Sequence, residues 1–561
     1  MDRRDFLTAG KTKKPATILF ASPSRTLTGI NPYGGPWGAN EVIHLLKRTL
    51  FGARKADVDF FRTMSMSQAV DYLLNVSVAQ TQPLPPVKNY TNSVDPADPD
   101  NAIAQGQTWV NINTNDGGVN SNRVASYKNW WMGEMVNQER NILEKITLFW
   151  HNHFSTETGT IGRAIYCYQY NTILRKNALG NFKQFVKDIT INPGMLIFLN
   201  GYLNTNTAPD ENYGRELQEL FTVGKGANNA TPPYTEADVK AAAKVLTGWQ
   251  LNGTTNTSYF TSSRHDLTNK QFSSFYNNTV IAGRTGVTAG NLELNDLLNM
   301  IFATNDVAMH ICRKLYRWFV YYDIDATTEA NVIAPLAQIF RTNNYDIKPV
   351  LSTLFKSEHF FDVLNQGCII KSPIDFVVGL SREFNVQFPP VSDYAGNYNC
   401  FQTLNSLSIS FQQNIGDPPN VAGWIPYYQQ PQFHEIWINS DTFPKRNQFS
   451  DQMLLTGYTR GGKTIKIDNT IFAKSLPNPG DPNALIRDSI TYLFRLTLTQ
   501  ASMDQLKRDI ILSGQTNDYY WTNAWTAYIA NPNDAVNANI VKTRLRDLYQ
   551  YLMKLAEYQL S

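Results

Sequence analysis

The run Arg215-Glu216-Leu217-Gln218-Glu219-Leu220-Phe221 decides how the rest of this chain reads. Leu217, Leu220 and Phe221 recur at helical spacing, so a buried stripe lies beside Glu216 and Glu219, and those two carboxylates, one turn apart, share a face. Gly224 and Gly226 close this helix. Thr235-Glu236-Ala237-Asp238 opens the next with a capping box, and Val239, Ala242, Leu246 and Trp249 give its buried edge. Asn212 to Trp249 is thus a pair of helices joined by a glycine-bearing loop, with more polar chemistry than packing needs.

Helical periodicity extends to both sides. Val42, Leu45, Leu46 and Leu50 form one face that ends at Gly52, with His44 and Arg48 one turn apart on the same helix. Val124, Tyr127, Trp131 and Met135 form another, and Glu139 to Trp150 leads into Trp150-His151-Asn152-His153-Phe154. Further helices are expected over Ala164 to Leu174, Asn181 to Ile191, Leu292 to Phe302, Val307 to Tyr321, Ala330 to Phe340, Ile347 to Lys356 and Pro373 to Phe384. From about Pro479 three more follow, the last running from Asp534 to Leu560 with Val536, Ile540, Leu545, Leu548, Leu552 and Leu555 inward.

Between these elements, Pro83, Pro85, Pro86, Pro96 and Pro99 punctuate a polar excursion to about Asp116. Residues 250–290, rich in Asn, Thr, Ser, Tyr and Phe, predict a small polar insertion, a β-hairpin or an irregular one. The expected fold class is mainly α: a large multi-helix globular core with long surface loops and this insertion beside it. Residues 1–36 form an extended arm, 37–460 the helical core, and 461–561 a helical region packed on that core.

Composition narrows the function classes. A formal net charge of +3 over 561 residues, with no dense Lys/Arg run, argues against a nucleic-acid groove. Apolar residues make up 42% and charged residues only 17%, so uncharged polar and aromatic groups cover much of the surface, a habit of exported proteins. Cys167, Cys312, Cys368 and Cys400 are widely spaced and read as core thiols rather than as a zinc knuckle or disulfide scaffold. Arg3-Arg4 looks like a twin-arginine export motif, but Lys11, Lys13 and Lys14 interrupt the apolar stretch of about 7 to 15 residues that an export signal needs. No run reaches the roughly 18 apolar residues of a membrane helix.

Several motifs occur in a fixed order: His44-Leu45-Leu46 with Phe51-Gly52, Phe149 to Phe154, Glu211 to Leu217, Glu219-Leu220-Phe221-Thr222, Tyr234 to Val239, Leu246-Thr247-Gly248-Trp249, His265-Asp266 with Lys270, and Pro418-Pro419-Asn420-Val421-Ala422-Gly423-Trp424. Over roughly residues 38–460 the chain resembles the bacterial family catalogued as domain of unknown function 1800. The resemblance implies a largely helical protein, an export signal in many members, and a shared task in the cell envelope with partners of a family resembling alkaline phosphatases and sulfatases. Two departures stand out: Asn200 lies where relatives tend to carry Asp, and residues 227–233 lengthen the loop before Tyr234.

The chemistry divides into two readings. In the first, His151 and His153 bind a divalent metal (zinc, iron or manganese), Glu216 or Glu219 supplies an oxygen ligand or general base, and His265 or Asp266 completes the site. Lys270 adds a positive charge, Arg215 attends the acidic pair, and Asn212, Trp249, Asn420 and Trp424 border the substrate, giving a metal-assisted hydrolase of the envelope. This requires the helix to end near Trp150, because on a helix His151 and His153 point to nearly opposite sides. In the second, the histidines cap neighbouring helices, Arg215 neutralises Glu216 or Glu219, and the motifs order a non-enzymatic assembly or binding protein. Trp249, Trp424 and Trp437 also offer a carbohydrate platform, against buried packing as the plainer role. Arg446 is a further border residue.

Overall fold

Apolar stripes with capped ends account for most of the architecture. Asp116 accepts a hydrogen bond from Val119 N (2.8 Å) at the start of Gly117–Val136, and Asn181 one from Gln184 N (3.1 Å) at the start of Phe182–Thr190. Thr235 and Asp238 form the reciprocal box that opens Glu236–Val245. The computed structural model describes residues 27–91, 96–226, 232–424 and 435–561. Arg3-Arg4 and most of the arm lie outside them, as do residues 227–231 of the lengthened loop. Among the described residues no helix is long and apolar enough to cross a membrane.

The expected helices are present as Ala39–Thr49, Leu143–His153, Ala164–Asn177, Ala289–Phe302, Asp306–Phe319, Ala334–Thr342, Ile347–Lys356 and Pro373–Glu383. Gly117–Val136 lies along Tyr394–Ser410, where Gly133 leaves room for the Phe401 ring. At Gly52, φ is +75° and a β-carbon would sit 2.8 Å from Gly379 O, so the motif glycine both turns the chain and lets it approach the Pro373–Glu383 helix.

The insertion is two hairpins. Trp249–Asn252 pairs antiparallel with Thr257–Phe260, Trp249 opposite Phe260, and Lys270–Gln271 pairs with Val280–Ile281. A third hairpin, Tyr458–Arg460 with Lys463–Ile465, turns through Gly461 and Gly462, both at positive φ.

From about Pro479 onward there are four α-helices rather than three: Pro482–Leu493, Gln500–Leu506 continued by the π-turn Lys507–Ile511, Tyr519–Ala530 and Ala535–Lys554. The last ends six residues short of Leu560, and Val536 is 69% exposed. The buried stripe runs Val541, Leu545, Leu548 and Leu552, and Val536, five residues before Val541, falls off it. This helix packs on Thr442–Leu455, and one continuous apolar cluster joins both regions. At the other end of the chain, the described part of the arm lies on residues 356–362 through Tyr33 N to Lys356 O (2.8 Å) and Leu27 N to Asp362 Oδ2 (3.0 Å).

Candidate functional site

The helix Leu143–His153 does not stop near Trp150, so its two histidines face apart. His151 is buried in an aromatic box, with ring centroids 5.1 Å from Trp131, 5.5 Å from Trp424 and 6.1 Å from Tyr170. Neither ring nitrogen has a hydrogen-bond partner, and burial pushes the imidazole down to about 3. His153 lies on the opposite side. Its Nε2 donates to Phe221 O (3.2 Å), which makes Nδ1 an acceptor, and Lys314 Nζ donates to it (3.0 Å). Burial, with Lys314 and His310 nearby, holds this ring well below its ordinary range. His310 Nε2 donates to Leu220 O (3.0 Å) in the same way.

These two imidazoles cap one element. Leu217–Thr222 is a π-turn following the helix Glu211–Glu216, and the carbonyls of Leu220 and Phe221 lie at its end, where no later N–H of the helix reaches them. Gly224, at φ +78°, closes the turn where a β-carbon would collide with the His310 ring. His153 is therefore the helix cap of the second reading, whereas His151 caps nothing. Among the described residues no group of three His, Cys, Asp or Glu side chains is arranged to hold a metal ion.

The acidic pair departs from its expected surroundings. Arg215 is ion-paired with neither Glu216 nor Glu219, although its charge acts on Glu216. It turns outward, forming a two-pronged bond with Glu236 (both prongs 2.7 Å) and a contact with Glu211 (3.3 Å). Glu219 pairs with Lys225, and burial, then the charge of Glu219, pushes Glu216 up to about 7. Asn212 is exposed, with its N–H on the capping Asp210 (2.8 Å). The π-turn begins between the two glutamates, so regular one-turn spacing does not describe them.

His265, Asp266 and Lys270 do come together, around a residue the sequence reading passed over. Glu293 is fully buried, with Oε1 3.1 Å from His265 Nε2 and Oε2 accepting from Lys270 Nζ (2.7 Å); Arg284 N also donates to it (2.7 Å). His265 Nδ1 donates to Thr247 O (2.9 Å), and Asp266 N to Thr247 Oγ1 (2.8 Å). Burial raises Glu293, but the bonds from His265 and Lys270 outweigh it and hold the carboxyl below its ordinary value. Asp266 spends its carboxylate on Thr268 N (2.8 Å) and the Thr268 hydroxyl. Each group has an internal partner, and the cluster fastens the hairpins to Ala289–Phe302. A signal existed in the sequence: Glu293 is in line with the buried Leu297 and Ile301 at steps of four.

Trp249, Trp424 and Trp437 are each at most 5% exposed, so they pack inside the protein and present no platform. Asn420 is exposed, its side chain accepting from Ala422 N (2.8 Å) within the turn. That turn delivers Trp424, whose backbone N–H donates to Asn152 Oδ1 (2.8 Å).

Beside this contact lies a cavity of about 30 Å³. Lys47 and Arg48 reach it from Ala39–Thr49, Lys145 and Asn152 from Leu143–His153, and Asp375 from Pro373–Glu383, with Trp424 as a wall. Lys47 pairs with Glu383 and donates to Leu493 O (3.0 Å), and Lys145 pairs with Asp375. Arg48 Nη2 donates to Asn365 O (2.7 Å) and Cys368 Sγ (3.0 Å), while its Nε and Nη1 have no partner. Arg446 is fully buried nearby rather than at a border, donating to Lys371 O (2.9 Å).

Fold and site together define a mainly helical protein in which the His44, Phe149–Phe154 and Pro418–Trp424 motifs meet beside a small, cation-rich cavity. The sequence profile of the family described as Protein of unknown function (DUF1800) matches residues 44–560, and the chain belongs to that family. The match runs past the motif-bearing residues 38–460 into the C-terminal helices. No curated protein and no solved structure matches the chain.

Proposed function

We propose that this chain is a non-enzymatic assembly or binding protein of the cell envelope, whose polar motifs build a rigid helical body that docks a partner protein. One observation carries the reading: Asn152, His153, His265 and Lys270, four motif side chains, spend their polar groups inside the protein. His153 caps the Leu217–Thr222 turn, Asn152 holds Trp424, and Lys270 and His265 meet Glu293. Groups tied in this way order a core and are poorly placed to exchange ligands or protons. The family resemblance offers alkaline phosphatase-like and sulfatase-like proteins as the partner class, and the small net charge favours a protein partner over nucleic acid. Co-purification from envelope extract tests it. A stable, metal-free complex undisturbed by His151→Ala is expected; stoichiometric bound metal that is lost in His151→Ala overturns it.

A metal-assisted hydrolase, with zinc, iron or manganese, is the second reading, and Glu216 is the observation in its favour. Raised to about 7, that carboxyl is poised to exchange a proton at neutral pH, as a general acid or base must. Elemental analysis, with stability measured in chelator, separates the two readings.

A further inference from the structure

The geometry points to the cavity beside Trp424 as a binding site for a small oxyanion, a phosphate, sulfate or carboxylate group, held by Arg48 with Lys47 and Lys145. This goes beyond partner docking and stands or falls separately from it.

The first ground is an unbalanced charge. Lys47, Arg48, Lys145, Lys371, Arg446 and Arg495 are all less than 10% exposed. They sense one another: Lys371 feels Lys47 and Arg446, while Lys145 and Arg495 feel Arg48. Among the described residues the side-chain carboxylates acting on this cluster are Asp375, Glu383 and, toward Arg495, Glu41. Burial, and then the crowding of like charges, depresses Lys371 to about 7; burial lowers Arg446 to about 9. A buried charge without a counter-charge is strongly destabilising. An anion in the cavity removes that cost.

The second ground is unspent donors. Arg48 is 2% exposed and lines the cavity, with Nη2 fixed by Asn365 O and Cys368 Sγ while Nε and Nη1 are left without partners. Nε–H and the Nη1 hydrogens lie on different edges of the guanidinium plane, so each offers an oxyanion a separate charge-assisted hydrogen bond. Ser561, which also lines the cavity, is anchored by its N–H to Ile369 O (2.8 Å), and the two Arg48 nitrogens are unpartnered with it in place.

The third ground is size. At about 30 Å³ the cavity has room for about two waters, enough for an inorganic oxyanion or a single anionic end group and too little for a sugar or nucleotide.

The test is titration of the full chain with inorganic phosphate, sulfate and phenyl phosphate at constant ionic strength, followed by 31P NMR and thermal unfolding. Saturable phosphate binding, displaced by sulfate and weakened about tenfold or more in Arg48→Gln, is the expected result, from the loss of a charge-assisted contact. Lys145→Gln, checked for fold by circular dichroism, provides the same comparison if Arg48→Gln fails to fold, and Arg215→Gln serves as the unaffected surface control. Binding of phenyl phosphate as tightly as phosphate marks the ligand as the end group of a larger molecule; its exclusion marks a free ion. Absence of saturable binding to the unsubstituted chain, an equal effect of chloride, or full affinity in folded Arg48→Gln overturns the proposal. Partner co-purification is read in a separate experiment, so failure of one leaves the other standing.

Discussion

Trp424 N donates to Asn152 Oδ1 across 272 residues of sequence, at 2.8 Å. This single bond ties the Phe149–Phe154 motif to the Pro418–Trp424 motif and sets Trp424 against His151 on one side and the cavity on the other. Gly423 makes it attainable: φ is +104°, and a β-carbon would collide with Asn152. Asn152→Ala is expected to destabilise by about 1–2 kcal/mol, the cost of a buried donor left unpaired. Gly423→Ala is expected to cost more, because backbone strain adds to the collision. Urea denaturation measures both, and an equal or smaller loss in Gly423→Ala contradicts the geometry.

His151 and His310 are each held near 3 by burial, against an ordinary 6.5. The unfolded chain therefore binds protons that the folded chain refuses, so stability is full above pH 6.5 and falls as the pH drops from there toward 3. His151→Phe keeps the ring in the aromatic box and removes nitrogens that bond to nothing. Its expected outcome is unchanged or higher stability at pH 7 and a shallower loss on acidification, read from denaturation midpoints across the pH range. A loss at pH 7 of more than about 2 kcal/mol, the size of a broken buried polar bond, means that a ring nitrogen does essential work.

Glu293 and Lys270 are a fully buried pair, so removing one partner strands the other. Glu293→Gln or Lys270→Met alone is expected to cost about 3–5 kcal/mol, and Glu293→Gln with Lys270→Met less than the sum of the two. A thermal-unfolding mutant cycle supplies the coupling; strict additivity removes the network from the account of how the hairpins are fastened.

Arg215 belongs to the family motif but points outward to Glu236 and Glu211. Arg215→Ala is expected to change stability by no more than about 1 kcal/mol, as for other solvent-exposed ion pairs, and to leave the unfolding midpoint nearly unaltered at high salt. A loss of several kcal/mol contradicts the outward placement.

Local pattern determined the helices of this protein, because apolar side chains at steps of three and four, glycine stops and the Thr235–Asp238 cap act within a few residues of chain. Composition marked residues 250–290 as a polar insertion, hairpin or irregular, which the structure forms as two hairpins, and helical geometry gave the orientation of His151 and His153 once the helix was known to run past Trp150. Local pattern did not give Glu293, Lys145 or Asp375 their partners, or turn Arg215 toward Glu236 rather than Glu216. Those choices are made by which helix faces meet, and residues such as Asp375 and Lys145, 230 positions apart, carry no mark of each other in the sequence. Charge balance in the interior is likewise a property of the packed whole: only when the helices close does Arg48 lose its water, and only then does the cavity beside it become a place for an anion.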